Sequence, residues 1–372
     1  MTSRPGASTR PRGVARIRSS LSRALALFAV LLTACGQSVS PTGSFAVAPT
    51  ATPDSIATAE QPSSTGPDLV VDGSEPISVG FWTSQVGLIA GRGPRGRPAV
   101  ARTTDGGRTL TWVDLETDAL HDLSVFGTSD AVVLSGCAVE PAVDCEPNLS
   151  RTSDGGATWK AVGGGQQLAG LQRITFAGGI GWGFANLPPG DLQPDPNARA
   201  LRRSLDGGQT WKTVADPCPA TWPSLVGVRF VDARNGWIVC SSEGSGTMAP
   251  TAIYVTTDGG RSFAIRSSSD FFGPATLGRA PSGPVGAIEA ADLTTAFVME
   301  GRSGTERTDD GGVHWTTTLP GNPEIVFVDT MSATADGSVF AIAVDGDLRQ
   351  IVLEASSDGG RTWEMRSAWP MG

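Results

Sequence analysis

The chain has 372 residues and a formal net charge of −9, and only 17% of it is charged, against roughly 25% in an average globular protein. With 48 Gly, 26 Pro, 39% hydrophobic residues and ten Trp, it is neither a coiled coil nor a wholly disordered polymer. The balance suits many short strands joined by turns. Residues 1–34 carry six Arg and no acid, so without them the charge becomes −15, which argues against nucleic acid as a partner, since that affinity rests on Lys and Arg neutralising phosphates.

Arg4, Arg10, Arg12, Arg16, Arg18 and Arg23 precede the apolar run Ala24 to Leu32, too short to span a bilayer as a mature helix and of the length of a signal-peptide core. No two Arg are consecutive, which favours the general secretory route over the twin-arginine one. The run ends in Leu32-Thr33-Ala34-Cys35, which resembles the bacterial lipobox. The resemblance implies that residues 1–34 are removed and that Cys35 is lipidated as the first mature residue, so that the chain is held on the outer side of the cell membrane. Residues 35–67 are rich in Ser, Thr, Pro, Ala and Gly, too poor in large apolar groups to offset the entropy of ordering, and read as a flexible tether. The globular part is expected over 68–372.

That part repeats. Thr103-Thr104-Asp105-Gly106-Gly107-Arg108-Thr109, with Trp112 displaced by two, is followed by Thr152 to Trp159, Ser204 to Trp211, Thr256 to Phe263, Thr308 to Trp315 and Ser356 to Trp363. The shared Asp residues, Asp105, Asp154, Asp206, Asp258, Asp310 and Asp358, stand 49, 52, 52, 52 and 48 apart. Ahead of each lies an apolar strand, a polar turn and a second apolar strand, clearest in Val228 to Val239 and in Val79 to Ala90. Each unit reads strand, turn, strand, loop, strand, Asp-Gly-Gly turn, strand. Four short strands in a tandem unit of about fifty residues indicate a β-propeller, whose blades bury both faces against their neighbours. From 69 to 372 there are 304 residues, enough for six blades and not a full seventh. Only Glu364 to Gly372 follow the last box, so Leu69-Val70-Val71 is a candidate for completing a sheet at ring closure.

The boxes resemble the bacterial neuraminidase repeat, or Asp-box, with pattern Ser/Thr-x-Asp-x-Gly-x-Thr-Trp. The combined Phe, Gly-Trp and Thr-x-Asp-Gly-Gly-x-Thr-Trp layout is similar to the photosystem II stability and assembly factor-like propellers and, more distantly, to sialidases. In chemical terms the box is a turn device: Gly supplies positive φ, the Asp carboxylate accepts hydrogen bonds from the turn, and Trp covers it. The six Asp are therefore expected to be structural.

Four Cys remain after Cys35, in an expected oxidising compartment where disulfides persist. Local pairing of Cys137 with Cys145 and of Cys218 with Cys240 is expected, and a zinc site is disfavoured because Cys-x-x-Cys spacing is absent. No cofactor is implied. Ligand loops of propellers lie opposite the Asp-boxes, and there Arg95 and Arg97 make a basic loop while Trp222, Phe271 and Phe272 are aromatic candidates for partner binding. Aligning the innermost strands places Gly80, Ser124, Thr175, Arg229, Glu289 and Val326 at one level, with an Arg229–Glu289 ion pair expected near the channel.

A sialidase needs an Arg triad, a Tyr nucleophile activated by Glu and an Asp acid, yet the chain has one Tyr, Tyr254, in a third strand remote from the centre. The expectation is a non-catalytic, lipid-anchored propeller that binds an extracytoplasmic protein. A sialidase-type glycosidase with a divergent centre and a surface carbohydrate-binding propeller are the alternatives.

Overall fold

The computed structural model of the chain describes residues 73–371 apart from 137–146, 169, 185–200, 216, 220, 243–248, 270–277, 282, 284, 301–303, 319–324 and 347–348. These residues form a six-bladed β-propeller of four-stranded antiparallel meanders, with a short fifth strand, Gly278–Arg279, added parallel to the edge of blade four. Blade one shows the plan: Glu75–Phe81 innermost, then Gly87–Arg92, Pro98–Thr103 and Thr111–Asp114 at the rim. The innermost strands of the other blades are Ala119–Phe126, Arg173–Ala177, Ser224–Phe230, Val285–Ala290 and Ile325–Ala333, each in contact with the next and the last with the first.

Burial explains the strand sequences. Strands packed on both faces read as near-continuous apolar runs, as in Val339–Asp345 and Thr251–Thr256, where every residue is buried. The rim strand Thr111–Asp114 is half wet and has no buried residue.

The Phe and Gly-Trp elements of the repeat meet across the seams between blades. Phe230 of blade four stacks on Trp182 of blade three with ring centroids 3.7 Å apart, and Phe81 of blade one stacks on Phe340 of blade six at 3.5 Å. Gly236 stands beside its own blade's Phe230, whose ring would lie 2.7 Å from any Cβ placed there, so a side chain at that position would displace the stacked ring.

Ring closure needs no exchanged strand. Blade six is completed by its own Glu364–Pro370 and blade one by its own four strands, so the nine residues after the last box suffice. Leu69-Val70-Val71 lies outside the described residues. Blades six and one are joined face to face: Ser367 Oγ donates to Gly107 O at 2.5 Å, Ser84 N donates to Asp336 Oδ2 at 3.2 Å, and Arg108 pairs with Glu364 at 3.2 Å.

The second glycine of every box but that at Gly260 presses on the preceding blade. Gly360 combines φ of +83° with a virtual Cβ only 2.6 Å from the Phe297 ring. Gly360→Ala is expected to cost about 2–4 kcal/mol, the sum of a left-handed side chain and an overpacked seam, measured by denaturant unfolding. Gly286→Ala, where open space meets the new methyl, should stay within about 0.5 kcal/mol of the parent.

Candidate functional site

The two ends of the ring differ. Box turns hydrogen-bond to the first hairpin turn of their own blade, as in Gly106 N to Gln85 O (2.8 Å) and Gly259 N to Arg234 O (2.8 Å), so both kinds of turn share one end. The opposite end carries the loops between second and third strands and the connections between blades.

Each box is a closed hydrogen-bond cycle. Thr152 Oγ1 donates to Asp154 Oδ1 (2.7 Å) and accepts from Gly156 N (2.9 Å), while Asp154 accepts from Thr158 N (2.9 Å) and Thr158 Oγ1 (2.6 Å). The same cycle is built on Asp105, Asp206, Asp258 and Asp358. Around Asp310 the hydroxyl is replaced by His314 Nδ1, 2.6 Å from Asp310 Oδ2. The Thr158 hydroxyl and then its amide hold the Asp154 carboxyl well below the ordinary range, and those of Thr210 hold Asp206 at about 2. Such groups are fixed anions at neutral pH, unsuited to giving or taking protons. Trp159, Trp211, Trp315 and Trp363 cap their turns by donating Nε1–H to the second Gly carbonyl. The displaced Trp112 makes no such bond.

Arg stands immediately before the box in four units, a recurrence present in the sequence that a search keyed on the box passes over. Arg203 donates to Gly259 O (3.1 Å) and Arg307 Nε to Gly359 O (2.8 Å), each reaching the next blade's box. Arg102 and Arg151 lie beside Gly155 and Gly207 of the next box, and Arg151 donates to Asp130 of its own blade at 2.6 Å.

At the centre, strand register sets Gly80, Ser124, Thr175, Arg229, Glu289 and Ser332 at one level, opposite Leu88, Val132, Trp182, Trp237, Phe297 and Phe340. The expected Val326 is not at this level. The last innermost strand runs on to Ala333, six residues past Phe327, so the residue paired with Phe340 next to the hairpin is Ser332. Four seams are tied by one bond, in which the side chain at this level accepts an amide of the following blade. Ser332 Oγ accepts from Phe81 N (2.9 Å), Ser124 Oγ from Phe176 N (2.8 Å), Thr175 Oγ1 from Phe230 N (3.4 Å) and Glu289 Oε1 from Ala333 N (3.2 Å). Between blades four and five Arg229 Nε lies 3.0 Å from Glu289 Oε1. Between blades one and two Gly80 leaves its space to Val125.

One level toward the loop end, Asp122 accepts from Ser78 Oγ (3.1 Å), Leu123 N (3.0 Å) and Ile174 N (2.8 Å), with Arg173 at 3.7 Å, and so ties blades one, two and three. Burial raises its carboxyl against the pull of Arg173. Burial likewise lifts Glu289 to about 7, opposed by Arg229 and the Ala333 amide. The two acids are occupied acceptors.

Tyr254 lies in the third strand of blade four within a cluster containing Trp182, Phe230 and Cys240, and burial raises its phenol. It is not among the residues lining the channel. Arg95 and Arg97 are exposed on the loop between the second and third strands of blade one, beside exposed Arg92, and Arg95 pairs with Asp114 at 2.8 Å. Trp222 is half-buried and packs on the cluster around the Cys218–Cys240 disulfide, whose Cα atoms are 5.6 Å apart. Arg229 and Glu289 face the channel rather than the outer surface. Cys35, Cys137, Cys145, Phe271 and Phe272 lie outside the described residues.

A further acid, Glu354 in the third strand of blade six, is 2% exposed and its Oε2 has no hydrogen-bond partner among the described residues. Burial lifts its carboxyl to about 7, with repulsion from Asp345 and Glu364 adding to the effect. A raised carboxyl binds its proton more tightly in the folded state, so its contribution to stability is present below the ordinary Glu value and lost as pH rises through about 7. Glu354→Gln is therefore expected to exceed the parent in unfolding free energy at pH 8, by on the order of 1–3 kcal/mol, and to match it near pH 4.5, in paired denaturation curves.

No protein-family profile matches the chain, and no curated protein does. Solved structures match. A GH74 xyloglucanase from Xanthomonas campestris aligns over 80% of this chain and 46% of its own length, at 14% identity and a TM-score of 0.50. YCF48 bound to D1 peptide aligns over 80% and 82%, at 17% identity and a TM-score of 0.45, and a Hadza microbial sialidase over 76% and 66%, at 13% and 0.46. The chain spans under half of the xyloglucanase, and at these identities the likeness is one of β-propeller fold alone.

Proposed function

We propose that the chain is a non-catalytic β-propeller, held outside the cytoplasm by lipid on Cys35, that binds a protein partner through its loop face. The observation that carries this reading is the use of the central acids. Asp122 and Glu289, the buried carboxyls of the channel, are spent on amides and arginines that join blades, whereas a glycosidase needs an acid and a nucleophile free to meet substrate. The single Tyr, set in a blade interior, supports the same reading. The Cys218–Cys240 disulfide is the mark of an oxidising compartment, which agrees with export. Specificity would lie in loops that do not repeat, with the exposed Arg95 and Arg97 as contacts on blade one. The expected partner is an extracytoplasmic protein, and the framework itself needs no cofactor for this role.

The test uses the full chain expressed with its own leader. It should fractionate with membranes, and Cys35→Ser should release it to the soluble fraction. Cross-linking should retain a discrete envelope protein, and the Arg95→Glu/Arg97→Glu double variant should lower that capture at least several-fold without changing the melting curve. Turnover of a fluorogenic sialoside by the purified chain would replace this reading with the glycosidase one. Retention on a glycan array without turnover would favour a carbohydrate-binding propeller.

A further inference from the structure

The channel holds hydrogen-bond donors and a carboxylate that the seam contacts leave unfilled. Its cavity is about 70 Å³, room for roughly five water-sized atoms. On its wall at blades three and four stand Arg173 and Arg229, with side chains 34% and 17% exposed. Arg173 is 3.7 Å from its nearest carboxylate, beyond hydrogen-bond reach, and the Arg229 Nε–H is buried and not aligned on Glu289 despite the 3.0 Å approach. Among the described residues neither guanidinium makes a hydrogen bond, although each carries five N–H donors. Blade six, which faces blade three across the ring, contributes Asp329 from the bulge of its innermost strand. No described residue donates a hydrogen bond to that carboxylate, and Arg173 is near enough for its charge to act on it. Between the two poles the wall carries the Asp122 and Glu289 carboxylates, already accepting amides of neighbouring blades, and is otherwise apolar, with Val226, Gly286, Ile288 and Met331.

The two poles make opposite demands. A planar guanidinium fork is matched by a carboxylate, and a free carboxylate by an ammonium. A simple anion would satisfy the arginines but face Asp329, and a simple cation the reverse. We propose that the channel binds a small zwitterion of the amino-acid type, its carboxylate on Arg173 and Arg229 and its ammonium on Asp329. Five non-hydrogen atoms, the size of the smallest α-amino acid, fit the space inside the ring, and longer ω-amino acids would extend toward the loop end. This is a small-molecule site, independent of protein docking on the loops.

Glycine, β-alanine and γ-aminobutyrate are titrated against the purified mature chain by calorimetry and thermal shift, with acetate and methylammonium as single-charge controls. The expected result is saturable binding of at least one zwitterion at least tenfold tighter than either control. Asp329→Asn should abolish the preference over acetate, and Arg173→Gln the preference over methylammonium. Asp329 is exposed, so its amide variant should fold, and the parent melting temperature in buffer checks this. A non-saturating rise in melting temperature shared by parent and both variants is the general effect of an osmolyte and overturns the proposal. So does acetate binding as tightly as glycine, or heat of binding that the Asp329→Asn variant leaves unchanged.

Discussion

The ring holds together because an amide of one innermost strand is bound by a side chain of the blade before it. Innermost strands belong to different sheets, so the amides facing a neighbouring blade have no ladder partner, and a buried donor left unpaired costs about 1–3 kcal/mol. Ser124, Thr175, Glu289 and Ser332 remove that cost at four seams. The ion pair of Arg229 with Glu289 and the close packing of Val125 on Gly80 serve the other two. Phe stacking at the same depth adds apolar burial, and the arginines before the boxes stitch the outer part of the seam. Since closure between blades six and one uses these same contacts, no strand has to be exchanged to finish the circle.

This constraint governs the chemistry left at the centre. A buried carboxylate is costly unless its lone pairs are satisfied, and for Asp122 and Glu289 the satisfaction comes from amides of neighbouring blades. Asp122 alone is bound by groups from three blades. What the framework leaves over is asymmetric: guanidinium donors on one side of the channel and the Asp329 carboxylate on the other. Between the second and third strands of the units the repeat breaks down into segments with no common sequence.

Much of the architecture was legible because it is periodic. Six Asp at intervals near fifty residues, each preceded by two apolar strands around a short turn, read as repeated meanders, and the hydroxyl or imidazole, carboxylate and glycine of each box act within eight residues of one another. The box-linked Arg recurs in four units, yet for Arg203 and Arg307 the partner is a carbonyl of the next unit, so its meaning depends on two blades meeting. Ser332 was hidden for a different reason. Phe327 occupies the place in the apolar pattern where the other units end their first strand, whereas this strand continues to Ala333, and nothing in the apolar pattern marks its true end.

By itself, the order of residues determined the elements whose causes are local: the turn chemistry, the number of units and the alternation of strands. Tertiary structure alone decided which side chains cross a seam, that Tyr254 and Trp222 turn inward, and that Arg173, Arg229 and Asp329 share one cavity. Those residues are separated by dozens of positions along the chain. Their proximity arises only when six sheets close on a common axis, a condition set by packing between units and encoded in no single one of them.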